Sequence, residues 1–182
     1  SGTIGMPVPN TEMALLDDQG VPVPAGGRGE IAIRGPQVMV GYWNKPQDTA
    51  MVMTPAGFFK SGDIGFMDAD GYVKIVDRKK DMVLSGGYNI YSKEVEAALL
   101  EHPAVQDAAV AGVPDAMYGE AVAAWVELRP GEQLAAQALI EHCRNRIAGY
   151  KKPKYVMFVD ALPRNSSGKV LKYQLKAGFV AP

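Results

Sequence analysis

The groups best suited to chemistry lie in residues 163–169, Pro-Arg-Asn-Ser-Ser-Gly-Lys. These residues are turn-forming, small or cationic and include no apolar anchor, so we expect a mobile surface loop. Lys169 offers a point charge on a flexible stem, which suits an anionic centre such as a phosphate. Gly168 beside it lets the backbone come close to a ligand. Taken alone, Lys169 fits equally a solvated cation in an exposed turn.

A second candidate is the carboxylate of Asp63, at the end of Gly-Phe-Phe-Lys-Ser-Gly-Asp in residues 57–63. A carboxylate in this position can accept hydrogen bonds from two neighbouring sugar hydroxyls. The alternative is a turn carboxylate that caps its own backbone. Further along, residues 77–81 are Asp-Arg-Lys-Lys-Asp and lie between apolar runs. Such a charged segment is typical of a linker between domains, with or without a hinge function.

Two glycine-containing segments are less distinctive. Residues 85–89, Ser-Gly-Gly-Tyr-Asn, could present a bare backbone to a narrow ligand or form a glycine turn between strands. Residues 68–71, Asp-Ala-Asp-Gly, resemble the start of a calcium loop, but Lys79 stands where the last acidic ligand would be. We therefore interpret residues 68–71 as a turn. The cationic run 151–154 is assigned no site, because a phosphate contact and surface solubility explain it equally well.

Composition excludes several classes of function. Nineteen Lys and Arg residues against twenty Asp and Glu give a net charge of −1, which argues against a nucleic-acid partner. Cys143 is the single cysteine, and the two histidines, His102 and His142, are far apart in the sequence. We expect neither a disulfide nor a metal site, and we expect both histidines at the surface of helices. No apolar run approaches the roughly 18 residues of a membrane span, so we expect a cytoplasmic protein.

The secondary structure predicted to position these residues differs between the two parts of the chain. Up to residue 77 the pattern is mostly β, whereas from residue 78 apolar residues recur at helical spacing between strands. We predict an α+β fold with two domains, residues 1–77 and 78–182. The predicted strands cover 12–16, 30–34, 38–42, 65–68, 72–76, 108–113, 121–128 and 155–159. The predicted helices run from Ser92, as the capping residue, to before His102, over 134–148, and briefly after 169.

Five motifs taken in order, at residues 41–46, 59–63, 77–81, 85–89 and 163–169, resemble the adenylate-forming superfamily of acyl-CoA synthetases, peptide-synthetase adenylation domains and luciferases. Residues 57–80 are most similar to the signature block of bacterial long-chain fatty acyl-CoA ligases. The resemblance covers the whole chain but only the C-terminal part of such an enzyme. It implies a β-rich remnant of the large domain, followed by a small, mobile α/β domain.

The resemblance also implies roles for individual residues. Asp63 should hold the ribose 2′ and 3′ hydroxyls of the nucleotide, and Arg78 should donate to the same ribose. Lys169 should neutralise charge shared by the acyl carboxylate and the α-phosphate. Asn89 falls where many relatives carry an Arg or Gln that faces the active site during adenylation.

A change of conformation is implied as well. Lys80 matches the family hinge on which the small domain swings after adenylation. That motion would withdraw Lys169 and bring Gly87 to the tunnel for the pantetheine arm of coenzyme A. One domain would then serve two half-reactions in turn.

The implied reaction converts a fatty acid, ATP and coenzyme A into acyl-CoA, AMP and pyrophosphate through an acyl-adenylate. Mg²⁺ is expected with ATP, but its ligands are not in this chain. No segment matches the loop that grips the ATP phosphates, so we expect the chain to need the missing N-terminal domain and to be inactive alone. Ligation of an aromatic or short-chain acid, loading of a carrier protein, and a stand-alone nucleotide-binding module remain open. Peripheral association with the inner membrane also remains open.

Overall fold

The structure is a computed structural model that describes residues 2–181, so Ser1 and Pro182, the outermost residues of the two expected domains, lie outside it. The chain divides into two compact units, one up to Lys80 and one from Asp81. The division falls three residues beyond the predicted boundary, because the last strand of the first unit reaches Arg78. Lys79 also forms ion pairs inside the first unit, with Asp18 and Glu30.

The first unit is built on a four-stranded antiparallel sheet with the strands in sequence order. Alternating side chains point to one face, where Leu15, Ile31 and Val73 form a small core. The hairpin between the third and fourth strands turns at residues 68–71, as the sequence predicted, and the Asp68 carboxylate accepts hydrogen bonds from the N–H groups of Asp70 and Tyr72. The strands are β1 (Glu12–Leu16), β2 (Arg28–Arg34), β3 (Phe59–Met67) and β4 (Val73–Arg78).

Two features of the first unit differ from the sequence-based expectation. The predicted strand over 38–42 is wrong: these residues form bends and irregular backbone, and Val40 is fully exposed. An apolar alternation without a neighbouring strand to bond cannot form a sheet. The first helix, α1 (Pro46–Val52), was not predicted, and it carries its proline in the first turn, where the missing N–H costs nothing. Strand β3 also begins at Phe59, so residues 59–63 lie within a strand.

The second unit is a five-stranded mixed sheet with helices on both faces. Strands β5, β6, β7 and β8 pair in the order β6-β5-β8-β7, and β9 lies parallel to β8. The strands are β5 (Val83–Ser85), β6 (Tyr88–Ile90), β7 (Val105–Asp115), β8 (Gly119–Leu128) and β9 (Tyr155–Phe158). The helices are α2 (Ser92–Leu100), α3 (Ala136–Arg144) and α4 (Lys172–Ala177).

The core of the second unit lies on both sides of its sheet. Helices α2 and α3 cover one face through Val95, Leu99 and Leu139, and helix α4 covers the other face through Leu175. Residues 121–126 of β8 are Ala-Val-Ala-Ala-Trp-Val, and all six are buried. A strand covered on both faces has this continuous apolar sequence rather than an alternating one.

The helix starts and the histidines also differ from prediction. The N-cap of α2 is Tyr91, whereas the Ser92 hydroxyl accepts a hydrogen bond from Lys172 Nζ at 2.8 Å, so a tertiary contact replaces the expected cap. His102 lies in the turn after α2, not on a helix. The rings of His102 and His142 lie edge to face with centroids 4.9 Å apart, and both residues are half-buried rather than exposed.

Helix α3 is shorter than predicted. It starts two residues later than the predicted 134 and stops at Arg144, with Asn145 as its C-cap. Among residues 2–181, the longest helices have nine residues, and none has the length and hydropathy needed to cross a bilayer.

Candidate functional site

Asp63 and Arg78 lie directly opposite each other on the paired strands β3 and β4. Arg78 Nε is 3.5 Å from Asp63 Oδ1, and the two side chains are 51% and 30% exposed. We call these two residues the ribose pair. They line an open cleft of about 460 Å³ together with Ser61, Gly62 and the lysines at 79 and 80. The register of two strands thus brings together two residues that are fifteen positions apart in the sequence.

The Asp63 carboxylate is available to a ligand. Its contact within the described residues is the ion pair with Arg78, and it does not cap its own backbone. The Asp63 N–H instead donates to the Ser61 hydroxyl at 3.1 Å. The two carboxylate oxygens can therefore still accept hydrogen bonds from two neighbouring sugar hydroxyls.

Glu30 binds two of the residues that line this cleft, Gly62 and Lys79, and it was not predicted from the sequence. Its carboxylate is buried, with 7% of the side chain exposed. It accepts hydrogen bonds from the Gly62 N–H at 3.1 Å and from Lys79 Nζ at 3.0 Å. An acidic residue within the apolar alternation of β2 was the available signal, because buried carboxylates are rare unless paired.

Lys79 remains a cation at the edge of the cleft. Burial by itself lowers the pKa of Lys79, but hydrogen bonds to Glu30 and Asp18 and their negative charges outweigh burial and raise the pKa above its usual 10.5. The neighbouring Lys80, the predicted hinge residue, is exposed and is the last residue of the first unit.

Gly87 lies in the glycine hairpin, the name used here for residues 83–90. Gly86 and Gly87 form its two-residue turn with φ values of 56° and 81°, a conformation that L side chains rarely adopt. A Cβ added at Gly87 would meet no atom within 4 Å. Asn89 lies on β6 opposite Leu84, with its side chain exposed.

An aromatic cleft of about 300 Å³ adjoins the glycine hairpin. Tyr88 and Tyr150 stack on its wall with ring centroids 4.6 Å apart, and Tyr118 also lines it. No site was predicted here from the sequence, because the walls come from three segments that are distant in the sequence, 85–88, 118–122 and 149–154. We call this space the aromatic cleft.

The cationic run 151–154 is largely neutralised. Lys151 Nζ lies 2.6 Å from a Glu94 oxygen, and Lys154 Nζ lies 2.5 Å from an Asp115 oxygen. The hydrogen bond from Lys154 lowers the pKa of Asp115, and the same contact raises the pKa of Lys154. Lys152 and Lys154 both line the aromatic cleft, but Lys152 makes no ion pair within residues 2–181.

Lys169 lies in the lysine loop, residues 163–170, between β9 and α4. Its side chain is exposed and forms no ion pair with the part of the chain that the structure describes. The loop lies at the surface, as expected, but it is closed by its own hydrogen bonds, including Asn165 N–H to the Lys169 carbonyl at 2.9 Å. Gly168 has a φ of 79°, so this turn requires its glycine.

The predicted site residues are therefore distributed over both units. The ribose pair and Lys80 belong to the first unit, whereas the glycine hairpin, with Gly87 and Asn89, and the lysine loop belong to the second. Among residues 2–181, no three His, Cys, Asp or Glu side chains are grouped in a way that could hold a metal ion.

Two known protein families match parts of this chain. The family pattern of the AMP-binding enzyme C-terminal domain matches residues 94–169, and that of the AMP-binding enzyme matches residues 1–43. The chain thus carries the C-terminal domain of the AMP-binding enzymes and part of their AMP-binding domain. The resemblance drawn from the five motifs and the predicted α+β fold class are both confirmed.

Individual relatives are CoA ligases. The long-chain-fatty-acid–CoA ligase of Escherichia coli O6:H1 is 45% identical over 176 residues, which are 97% of this chain and 31% of the relative. The feruloyl-CoA synthase of an Amycolatopsis species is 46% identical over 178 residues, which are 98% of this chain and 36% of the relative. The chain thus spans about a third of the length of these relatives.

A solved structure shows the same fold. The crystal structure of ATP-bound MatB from Rhodopseudomonas palustris superimposes with a TM-score of 0.90 and 39% identity. The match covers 97% of this chain and 35% of the MatB chain.

Proposed function

We propose that this chain is the C-terminal part of an ATP-dependent acid–CoA ligase, and that the acid is a long-chain fatty acid. The full reaction would join the fatty acid to coenzyme A through an acyl-adenylate, with release of pyrophosphate and then AMP. The names of the most similar relatives support a CoA ligase, and the E. coli relative supports the fatty acid. The observation that carries the proposal is the ribose pair, with its available carboxylate held opposite a guanidinium across an open cleft.

In this proposal the ribose pair fixes the nucleotide. Asp63 accepts hydrogen bonds from the 2′ and 3′ hydroxyls, and Arg78 donates to the same sugar. Both groups start from neighbouring positions on paired strands, so their spacing is set before the nucleotide arrives. They hold the nucleotide in the site without taking part in bond breaking.

Lys169 supplies positive charge to the first half-reaction. When the acyl carboxylate attacks the α-phosphate, negative charge accumulates on the phosphate oxygens. An exposed ammonium without an ion-pair partner in its own unit is free to stabilise that charge. We assign no such role to Asn89, because its side chain carries no charge.

The second half-reaction is assigned to the glycine hairpin and the aromatic cleft. Gly87 presents backbone without a side chain to the pantetheine arm, and its open surroundings support this role. The tyrosine rings of the aromatic cleft can stack on the adenine of coenzyme A, and Lys152 can meet a phosphate. We place the hinge that alternates the two half-reactions at Lys80, beside the division between the two units.

Mg²⁺ does not fit any side-chain cluster among residues 2–181. The described residues offer no group of three acidic or imidazole ligands, so no step is assigned to a metal held here. We place the ligands of an ATP-bound Mg²⁺, and the loop that grips the ATP phosphates, in the part of the ligase outside this chain.

The test is a substrate profile of the full-length protein that carries this chain. Pyrophosphate–ATP exchange would be measured with palmitate, octanoate, acetate and ferulate. The proposal predicts the highest kcat/KM with palmitate, and loss of exchange by about a hundredfold to a thousandfold in Lys169→Ala. Exchange that does not depend on any added acid, or on Lys169, would contradict the proposal.

An aromatic acid is the second candidate substrate. It is favoured by the feruloyl-CoA synthase relative, which is as similar to this chain as the fatty-acid ligases are. The same profile decides between them, because a preference for ferulate over palmitate would select the aromatic acid and leave the ligase mechanism unchanged.

A further inference from the structure

The lysine loop is a closed turn rather than an open connection. Arg164 and Val170 form an isolated bridge at its base. Inside the turn, the Asn165 N–H donates to the Lys169 carbonyl at 2.9 Å, and the Gly168 N–H donates to the Asn165 carbonyl at 2.9 Å. The Lys169 carbonyl and the Gly168 N–H therefore both have hydrogen-bond partners within the loop.

The Asn165 side chain is the centre of this turn. Its Oδ1 accepts hydrogen bonds from the Ser167 N–H at 3.1 Å, the Ser167 hydroxyl at 2.9 Å and the Lys169 N–H at 2.9 Å. All three bonds end on the oxygen of the amide. A short side chain with an acceptor at this point can therefore organise the turn, and a side chain without one cannot.

Arg164 attaches the turn to the sheet. Its Nη1 donates to the Gly168 carbonyl at 2.8 Å, and its Nη2 is paired with the Asp107 carboxylate on β7. The Arg164 and Asp107 side chains are 38% and 32% exposed, so this contact is only partly screened by water. One arginine thus links the backbone beside Lys169 to a strand in the core of the second unit.

These contacts act on a lysine whose own side chain is free. A lysine has a flexible four-carbon stem, and its charge is useful only where it meets the reacting phosphate. Fixing both the N–H and the carbonyl of Lys169 fixes the origin and direction of that stem. An error of about 1 Å at a catalytic group can lower a rate by about a hundredfold.

We propose that Asn165 is a positioning residue for Lys169, and that the contact of Arg164 with Asp107 is its anchor. This inference rests on the proposed role of Lys169 in adenylation. It assigns to Asn165 an effect on the first half-reaction alone, since Gly87 and the aromatic cleft belong to other segments of the second unit.

The experiment measures the two half-reactions separately in the full-length protein. Adenylation is followed by pyrophosphate–ATP exchange, and thioester formation by reaction of a synthetic acyl-adenylate with coenzyme A. Asn165→Ala should lower kcat of adenylation by about tenfold to a hundredfold, with KM for ATP and the thioester rate changed by less than about twofold. Asn165→Asp keeps an acceptor oxygen at the same distance and should recover most of the rate. Asn165→Gln moves the oxygen by one carbon and should not.

A second variant lies outside the loop. Asp107→Ala removes the anchor and should lower adenylation by roughly threefold to fivefold, again without affecting thioester formation. This variant leaves Asn165 and all bonds inside the turn in place. It tests the inference even if Asn165→Ala does not fold.

The outcomes separate the inference from the function on which it rests. If Lys169→Ala abolishes adenylation while Asn165→Ala and Asp107→Ala leave it within twofold, the positioning role is wrong and the proposed function stands. Equal loss of both half-reactions in Asn165→Ala, or equal activity of the Gln and Asp variants, would also overturn it. If Lys169→Ala leaves adenylation unchanged, the proposed function and the inference fail together.

Discussion

Asp63 and Lys169 are assigned to different parts of one nucleotide, so their loss should affect different kinetic constants. A ribose contact is made equally in the ground state and the transition state, and its loss raises KM without lowering kcat. A cation that meets developing charge acts mainly on kcat. This contrast separates binding from catalysis at the level of single residues.

The prediction for Asp63 follows from that contrast. Asp63→Ala removes an acceptor of two charge-assisted hydrogen bonds and should raise KM for ATP by about tenfold to a hundredfold at nearly constant kcat. Asp68→Ala is the matched control, since its carboxylate bonds only the N–H groups of its own turn. Steady-state kinetics of the full-length protein measures both. A fall in kcat with unchanged KM in Asp63→Ala would contradict the ribose assignment.

His142 gives a prediction about pH. Burial lowers the pKa of His142 below its usual 6.5, Arg146 and His102 lower it further, and a hydrogen bond with the Ala98 carbonyl and the charge of Glu101 only partly oppose this. The unfolded chain therefore takes up a proton near pH 6.5 that the folded chain resists. The stability that the neutral ring contributes is fully present above pH 6.5 and is lost progressively as the pH falls from 6.5 through the lower pKa of the folded state.

Urea unfolding between pH 7.5 and 5.5 tests this effect. Trp125 is buried in the second unit, whereas Trp43, in the first unit, is 89% exposed, so loss of buried tryptophan emission reports mainly the second unit. His142→Gln should lose less stability than the wild type over this range. Parallel pH profiles for the two proteins would show that His142 titrates normally.

Helix α4 is attached to α2 by a polar joint formed by Lys172, Ser92 and Glu96. Lys172 Nζ lies 2.8 Å from both the Ser92 hydroxyl and a Glu96 oxygen, and the Lys172 and Glu96 side chains are each only 18% exposed. Glu96 Oε1 also accepts a hydrogen bond from the Val110 N–H at 2.9 Å. The joint therefore ties the helix that follows the lysine loop to the helix that follows the glycine hairpin.

Lys172→Met should destabilise the second unit by about 1.5–3 kcal/mol, because it leaves a half-buried carboxylate without its cation. Lys176→Met, on the same helix, is the control. Its side chain is 44% exposed and lies 4.0 Å from Glu120, so its loss should cost less than about 1 kcal/mol. Urea unfolding followed by Trp125 emission measures both variants. Equal effects would show that the joint contributes no more than a surface ion pair.

The glycine hairpin can be tested with a matched pair of glycines. Gly87 and Gly131 have φ values of 81° and 83°, and a Cβ at either position would meet no atom within 4 Å. Substitution by leucine should cost each the same strain, about 1–2 kcal/mol. Only Gly87→Leu should block thioester formation from a synthetic acyl-adenylate, while adenylation remains measurable. Equal thioester rates in the two variants would remove Gly87 from the coenzyme A path.

The sequence predictions were accurate where the residues that an element pairs with lie close to it in the sequence, and less accurate where the partner is distant or absent. Strand β1 was predicted to its observed bounds, because its alternation faces a core and a paired strand is close in sequence. The strand predicted over 38–42 has similar apolar spacing but no partner, and the sequence contains no sign of that absence. Ser92 satisfied the local rule for a cap, yet a lysine eighty residues away binds its hydroxyl. Local rules fail where a distant residue competes for the same atom.

In the candidate site, too, residues were missed where their role depends on contacts distant in the sequence. Asp63, Arg78 and Lys169 were identified from motif sequence, and the pairing of the first two follows from strand register. Glu30 and the aromatic cleft were not identified, since each depends on contacts between segments distant in sequence. Sequence thus gave the groups proposed to touch the nucleotide, whereas the groups that support them required the fold.

At the scale of the whole molecule, the proposed ribose contacts lie in one unit, and the proposed catalytic cation and coenzyme A path lie in the other. Rate enhancement in phosphoryl chemistry depends on holding both reactants in line, in addition to neutralising charge. No segment of this chain matches a loop that grips the ATP phosphates, and its relatives are about three times as long. The chain should therefore fold without being a complete catalyst.

The 182-residue chain is accordingly expected to show no pyrophosphate–ATP exchange with palmitate, while its Trp125 emission shows a folded second unit. Adding an excess of coenzyme A or Mg²⁺ should not restore exchange, because what is missing is a set of protein groups around the phosphates and not a soluble cofactor. The full-length protein at the same concentration is the positive control. Exchange by the chain alone that disappears in Lys169→Ala would show that residues 1–182 contain a complete adenylation site. The proposal that adenylation needs protein groups outside residues 1–182 would then be wrong.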